Sequence, residues 1–327
     1  MMLTRDDIRG VSVMAPTPCK EGHEGWDSTD SVDLDESARM IDNLIRDGVG
    51  SIALNGTTGE CAALLWDEKK QFVATCVDVA KKRVPIFAGA TALGTKEVIR
   101  QMRALKDIGA DGAFIGLPLW QTPSLETQVQ FFADLSEAVP DMPIMVYSNQ
   151  MFFKSTFPTP FWAGVAKKAP TVITNKVTYS IEHLLDDIKA AGHQINFLPA
   201  AEGGTRVYNA WRMCRGYINA VWSTSASMGP EPMVALADAI AKDDEKRVEE
   251  ICADLASVPM FHGVDFSDFP KYNAQFEKAR FRAAGYIKCG PSRAPYLEMP
   301  ESWAKAAEAN GKAWAELRKK YMKVAAS

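Results

Sequence analysis

Thr171-Val172-Ile173-Thr174-Asn175-Lys176 is the stretch on which the reading of this chain turns. It is rich in β-branched residues, follows a helix-like segment closed by Pro170, and is followed by another that begins at Tyr179. A run of this kind between two helical patterns reads as a strand. Strands flanked by helices are buried on both faces, so Lys176 either sits at the strand's end poorly solvated or reaches past it into water. In the first case burial lowers the amine's pKa and leaves a nucleophile toward carbonyl carbon.

Outward from this strand the same alternation repeats. Short apolar runs at 11–15, 51–55, 85–90, 113–117, 143–148, 171–176, 196–200 and 218–224 read as eight strands. Segments at 34–47, 67–82, 95–108, 125–138 and 179–191 carry apolar residues at three- to four-residue spacing, as helices do. Parallel strands need crossover connections, and a closed sheet leaves no edge, so eight such units predict an α/β fold, a (β/α)8 TIM barrel over residues 1–230. Helical patterns at 232–241, 245–256, 269–284 and 302–322, with a Pro- and Gly-rich loop at 288–300, make residues 231–327 a C-terminal helical extension.

Composition narrows the chemistry. A chain of 327 residues with a net charge of -4 and no lysine-arginine run has no electrostatic footprint for nucleic acid, so the expected partner is a small molecule. The six cysteines and four histidines are scattered, without CxxC or other metal-ligand spacing. No metal site is expected, and the cysteines read as reduced thiols. The first ten residues are polar where a signal peptide needs an apolar core, and no apolar run reaches the length of a membrane span. The expectation is a cytoplasmic protein with no membrane partner.

In such barrels the reactive groups gather at the C-terminal ends of the strands. Strand two ends in Asn55-Gly56-Thr57-Thr58-Gly59-Glu60, strand five in Tyr147-Ser148-Asn149, strand six in Lys176 and strand eight in Trp222-Ser223-Thr224. Two glycines let backbone amides turn toward one point and two threonines add hydroxyls, so the turn can hold a carboxylate without a charged side chain. Read alone, it is equally a tight turn with Glu60 opening the next helix, and Tyr147 is equally a core aromatic.

Taken together, Gly56-Thr57-Thr58-Gly59-Glu60, Tyr147-Ser148-Asn149 and Lys176 resemble the dihydrodipicolinate synthase and N-acetylneuraminate lyase superfamily of class I aldolases. The resemblance implies that Lys176 forms a Schiff base with a pyruvate unit, that Thr57 and Thr58 bind its carboxylate and that Tyr147 relays protons. Two departures argue against lysine synthesis: Gln150-Met151-Phe152-Phe153 stands where those synthases carry an arginine, and Pro118-Leu119-Trp120 where they carry a tyrosine pair. The loop at 26–29 and the tail at 266–273 and 288–296 resemble the hydratase-aldolases of polycyclic aromatic degradation.

That resemblance implies an aryl-substituted 2-oxobut-3-enoate, of the trans-o-hydroxybenzylidenepyruvate or trans-2'-carboxybenzalpyruvate type, split into an aromatic aldehyde and pyruvate. It needs no cofactor, because the iminium is the electron sink. Trp120, Met151, Phe152, Phe153 and Trp222 are the aromatic and apolar candidates for the substrate's ring, although some of them are expected to pack between barrel and helices. Asn149 and Asn273 are candidates for placing water or ring. Lys154, Arg206 and Arg293 are the cations available to an acidic ring substituent. A sugar-acid lyase or dehydratase, favoured if serines and threonines around 223–227 line the pocket, and a catalytically silent keto-acid binder remain alternatives. The family's usual tetramer is the expected assembly.

Overall fold

The structure, a computed structural model, describes residues 2–322. Residue 1 of the expected barrel and residues 323–327 of the expected extension lie outside the described residues. Eight strands form one parallel sheet: β1 (Gly10–Met14), β2 (Ser51–Leu54), β3 (Ile86–Gly89), β4 (Gly112–Ile115), β5 (Ile144–Ser148), β6 (Val172–Val177), β7 (Asn196–Pro199) and β8 (Ala220–Ser223). Each strand pairs with its sequence neighbour and β1 pairs with β8. The remaining seam, β7 to β8, is joined by a parallel bridge between Ala200 and Trp222 and a 2.9 Å bond from the Ala201 amide to the Trp222 carbonyl. This is the predicted TIM barrel, with its strands within two residues of the expected bounds.

One irregularity sets the site. Ile144 pairs with Val172 but Met145 pairs with Thr174, so β6 carries one extra residue in its ladder with β5. Every later pair is shifted by one, which brings Tyr147 level with Lys176. Without the shift Tyr147 would lie level with Asn175, whose side chain points to the opposite face of the sheet.

The helices before and between the strands are α1 (Leu34–Arg46), α2 (Trp66–Ala80), α3 (Thr95–Ile108), α4 (Leu125–Ala138), α5 (Gln150–Phe153), α6 (Thr159–Lys168), α7 (Leu184–Ala190) and α8 (Thr205–Met213). Helix α7 starts later than its expected first residue, Tyr179. The Tyr179 side chain is drawn into the core, stacked with Phe157 and Trp162 and bonded to Asp187 at 3.0 Å. Its carbonyl accepts from Arg206 rather than from a helical amide.

After β8 come α9 (Glu231–Ala241), α10 (Glu245–Ala256), α11 (Phe269–Ala284) and α12 (Glu301–Tyr321). Helix α9 packs on β1 and β8 and completes the ring of helices around the barrel. Helices α11 and α12 pack on each other around a second apolar cluster of Phe269, Phe276, Trp303, Ala306 and Ala307, and α11 leans over the C-terminal mouth of the barrel. None of the described helices is long and apolar enough to cross a membrane.

Candidate active site

Lys176 is 5% exposed at the end of β6. Its Nζ lies 3.4 Å from the centroid of the Trp222 ring and 4.7 Å from that of Tyr147, and it makes no ion pair among the described residues. Burial lowers its pKa from the usual 10.5 to about 7, against the pull of Glu202 and Glu277 and with help from Arg206. At neutral pH about half of such an amine is unprotonated, whereas an ordinary lysine is almost wholly charged. Ser148 Oγ donates to the Lys176 carbonyl at 2.8 Å and fixes the strand end.

Beside it stands Tyr147, stacked on Phe114 at 4.5 Å and edge-on to Phe153 at 5.1 Å. Its hydroxyl lies 3.0 Å from Thr57 Oγ1 and accepts from Asn149 Nδ2 at 3.3 Å. Burial pushes the phenol up to about 12 in spite of those two partners. Tyr147 is therefore a hydroxyl at neutral pH, able to accept one proton while passing on another but not to rest as a phenolate.

The strand-two turn closes the niche. Gly56, Thr57, Thr58 and Gly59 line it together with Met14, Ala15, Ala53, Phe114, Tyr147 and Lys176. Its glycines are required by crowding: a Cβ on Gly56 would lie 2.9 Å from the Phe114 ring, and one on Gly59 would lie 3.0 Å from the Asn55 nitrogen. Among the described residues the Thr57 and Thr58 amides bond to no backbone oxygen. The Thr57 amide lies instead toward the Tyr147 hydroxyl.

Glu60 does not open a helix. It stands at φ 53° with its carboxylate fully buried, accepting from Lys278 Nζ at 2.6 Å, Arg293 Nη1 at 2.6 Å and the Arg293 amide at 2.7 Å. Lys278 belongs to α11 and Arg293 to the loop that follows it, so the turn is braced by the C-terminal third of the chain. Arg293 spends its remaining donors on Ser31 and on the carbonyls of Thr17 and Pro18, which removes it as a cation for substrate. Arg206 is likewise spent in part on Tyr179, and neither it nor Lys154 lines the cavity described next.

The niche opens past Gly56, Thr57 and Tyr147 into a cavity of about 660 Å³. Its walls include Leu64, Leu93, Leu119, Phe152, Phe153 and Ala274, with the polar side chains of Asn55, Lys69, Gln101, Asn273 and Gln275. The volume suits a drug-sized planar ligand. Of the five aromatic and apolar candidates for the ring, Phe152 and Phe153 line it. Trp222 instead forms the platform under Lys176, its Nε1 donating to the Val177 carbonyl at 2.8 Å. Trp120 is 78% exposed on the loop after β4, which carries it outward into a neighbouring groove, and Met151 is also exposed. Asn149 is buried against Tyr147 and Asn273 faces the cavity from α11.

The hydroxyls after β8 do not line the cavity. Ser223, Thr224 and Ser225 all bond to the Glu202 carboxylate, and Ser227 is buried against the Met14 carbonyl. The serine and threonine cluster that would favour a sugar-acid substrate is therefore turned away from the cavity.

Comparison with known proteins agrees with this geometry. The profile of the dihydrodipicolinate synthetase family matches residues 23–180. Over 328 aligned residues the chain is 44% identical to trans-O-hydroxybenzylidenepyruvate hydratase-aldolase of Pseudomonas putida, covering 98% of this chain and 97% of that one. The chain belongs to the dihydrodipicolinate synthetase family. It is also 36% identical to trans-2'-carboxybenzalpyruvate hydratase-aldolase of Nocardioides sp. strain KP7, over 98% of this chain and 97% of that one. Among solved structures it superposes on PhdJ bound to substrate intermediate with a TM-score of 0.93 at 37% identity, covering 98% and 99% of the two chains.

Asn55, Cys61, Lys69, Gln101 and Gln275 line the cavity without having been marked by the sequence. Asn55 carried a signal, as the residue that opens the strand-two turn, and its φ of 52° is one that asparagine tolerates better than most residues. The two glutamines carried none, because each sits in a helix where a polar residue reads as solvent-facing.

Proposed function

We propose that this chain is a Schiff-base hydratase-aldolase. It converts an aryl-substituted 2-oxobut-3-enoate of the trans-o-hydroxybenzylidenepyruvate type, with water, to an aromatic aldehyde and pyruvate. The observation that carries the reading is a buried lysine amine with a pKa of about 7, level with Tyr147 across β5 and β6 and sharing a niche with the Gly56–Gly59 turn.

In this reading Lys176 Nζ adds to the C2 carbonyl carbon and water leaves, giving an iminium conjugated through C3=C4 to the ring. Thr57 and Thr58 hold the carboxylate with their amides and hydroxyls. The iminium draws electrons from C4, water adds there, next to the ring, and loses a proton, and the enamine so formed takes a proton at C3, which restores the iminium. Tyr147 then takes the proton of the new hydroxyl while passing its own toward Thr57, the C3–C4 bond breaks, and its electron pair is left on C3 as an enamine on Lys176. Protonation at C3 and hydrolysis of the iminium release pyruvate. Asn149 orients the Tyr147 hydroxyl, and Asn273 is placed to orient the attacking water or the ring. We take the working form to be a cytoplasmic homotetramer acting in aromatic catabolism, with exposed Trp120 and Leu93 available for subunit contact.

Borohydride reduction in the presence of pyruvate, followed by peptide mass spectrometry, tests this reading. The expected result is a stable pyruvate adduct on the peptide bearing Lys176. Folded protein with excess pyruvate and no adduct would remove the aldolase mechanism and leave a silent keto-acid binder.

A further inference from the structure

Beside the Lys176 niche lies a largely buried charge cluster that the reaction as described leaves unused. Glu202, just past β7, turns its carboxylate to the chain that leaves β8. Its Oε1 accepts from Ser223 Oγ at 2.9 Å, Thr224 Oγ1 at 3.1 Å and the Thr224 and Ser225 amides at 2.6 and 3.0 Å, and its Oε2 accepts from Ser225 Oγ. Arg280 of α11, fully buried, donates to Thr224 Oγ1 at 2.5 Å and to Ser225 Oγ at 2.8 Å, so those two hydroxyls bridge guanidinium and carboxylate. Its Nε and Nη2 both donate to one oxygen of Glu277, a buried residue one turn earlier on α11. Two carboxylates thus share one guanidinium, and the cluster carries one surplus negative charge.

Trp222, on whose ring Lys176 rests, leads directly into this cluster at Ser223. Both carboxylates act on the lysine, resisting the fall in amine pKa that burial causes; Arg206 of α8, bonded to the Tyr179 carbonyl, opposes them more weakly. The other titratable groups near it, Tyr147 on β5 and Cys61 past the strand-two turn, are neutral, their pKa values raised by burial. Lys176 makes no ion pair among the described residues, and both oxygens of Glu202 are spent on hydroxyls and amides. The separation has a chemical consequence. A carboxylate in contact would hold the amine protonated and stop its attack, whereas with no counter-charge burial would strip the proton from the Schiff-base nitrogen. A neutral imine is a poor electron sink. We infer that Glu202 and Glu277 are positioning residues acting through Lys176: their surplus charge, held off by the hydroxyls after β8, keeps the Schiff base protonated and so able to take up the electron pair of the breaking bond.

This inference rests on the hydratase-aldolase reading, and its test separates the two. The full chain is compared with Glu277→Gln and Glu202→Gln by two readouts. One is the inflection of kcat/KM against pH, which reports the free amine. The other is the rate at which cyanoborohydride, which reduces a protonated Schiff base in preference to a neutral imine, inactivates the enzyme in saturating pyruvate. Removing one negative charge disfavours the ammonium and the protonated Schiff base alike. The inflection is expected to fall from about 7 by about one unit. At a pH about two units above the wild-type inflection, inactivation is expected to slow about tenfold.

A merely structural role gives the opposite sign, because a loosened niche admits water and lets the inflection rise toward 10. An inflection that rises or stays in place in every folded variant overturns the inference and leaves the aldolase reading standing, since trapping in the wild type still marks Lys176. Absence of both trapping and turnover in the wild type removes that reading, and the inference with it. Glu277→Gln is the milder change, because the glutamine oxygen still accepts from Arg280. If Glu202→Gln, which disturbs five hydrogen bonds, does not fold, Glu277→Gln alone decides.

Discussion

The lysine niche and the cavity next to it are built from different parts of the chain. The niche is made of strand ends and one turn, is tightly packed, and has its groups fixed by sheet register: Tyr147 level with Lys176, the turn held by Glu60. The cavity is wide, and much of its wall comes from α3 and from α11, a helix outside the sheet. Register can place a reacting atom to a fraction of an ångström, which chemistry at one carbonyl demands. Cavity-lining positions on the helices laid over the barrel mouth can vary without changing that register, which suits selection among rings. Reaction and selectivity are thus separable in this fold.

The largest test of that separation is Lys176→Met. Turnover of every substrate is expected to fall by more than about a thousandfold, because the covalent route is lost whatever the ring. The wild-type enzyme sharpens the same point through pH. The amine must be neutral to attack and its pKa is about 7, so kcat/KM is expected to fall about tenfold per pH unit below 7 and to level off above it. An inflection near 10 instead would mean that the lysine is solvated and the niche is not as packed as described.

The join between the two regions gives the next effect. Glu60 is bonded to both Lys278 and Arg293, and Glu60→Gln leaves two cations facing a neutral amide in a site closed to water. Breaking a buried ion pair from one side costs about 3–5 kcal/mol. Urea unfolding is expected to show a loss of that size, with pyruvate trapping weakened as the turn loosens. A wild-type unfolding midpoint in the variant would show that the extension does not brace the turn.

How much of this could be read from the sequence follows the same division. The strands were legible because β-branched runs recur between helical patterns, and Lys176, Tyr147 and the Gly56–Thr58 turn were legible because they stand at the ends of those runs. What decides the register, one extra residue in β6, has no mark in the sequence, although it places Tyr147 beside Lys176. Glu60 read as a possible helix start, but its partners lie 218 and 233 residues away, and no local pattern reaches that far. Gln101 sits between Val98 and Met102 in a good helical pattern, so its polarity was indistinguishable from that of a surface position. Trp120 and Trp222 are two of the five residues read by type as candidates for the ring; burial and direction, which type does not carry, send one into solvent and the other under the lysine.

The smallest effect is the sharpest on the cavity alone. Phe152 lines the cavity but not the niche, whereas its neighbour Phe153 packs against the Tyr147 ring, so cutting Phe153 would disturb both regions. Removing the Phe152 ring withdraws apolar area and a stacking partner, worth about 1.5 kcal/mol together for a half-buried aromatic, or roughly a tenfold rise in KM for aryl substrates. Pyruvate carries no ring, so its trapping on Lys176 is expected to keep the wild-type concentration dependence in Phe152→Ala. If trapping weakens in step with aryl KM, the two regions are mechanically one, and the selectivity of this barrel cannot be altered without altering its chemistry.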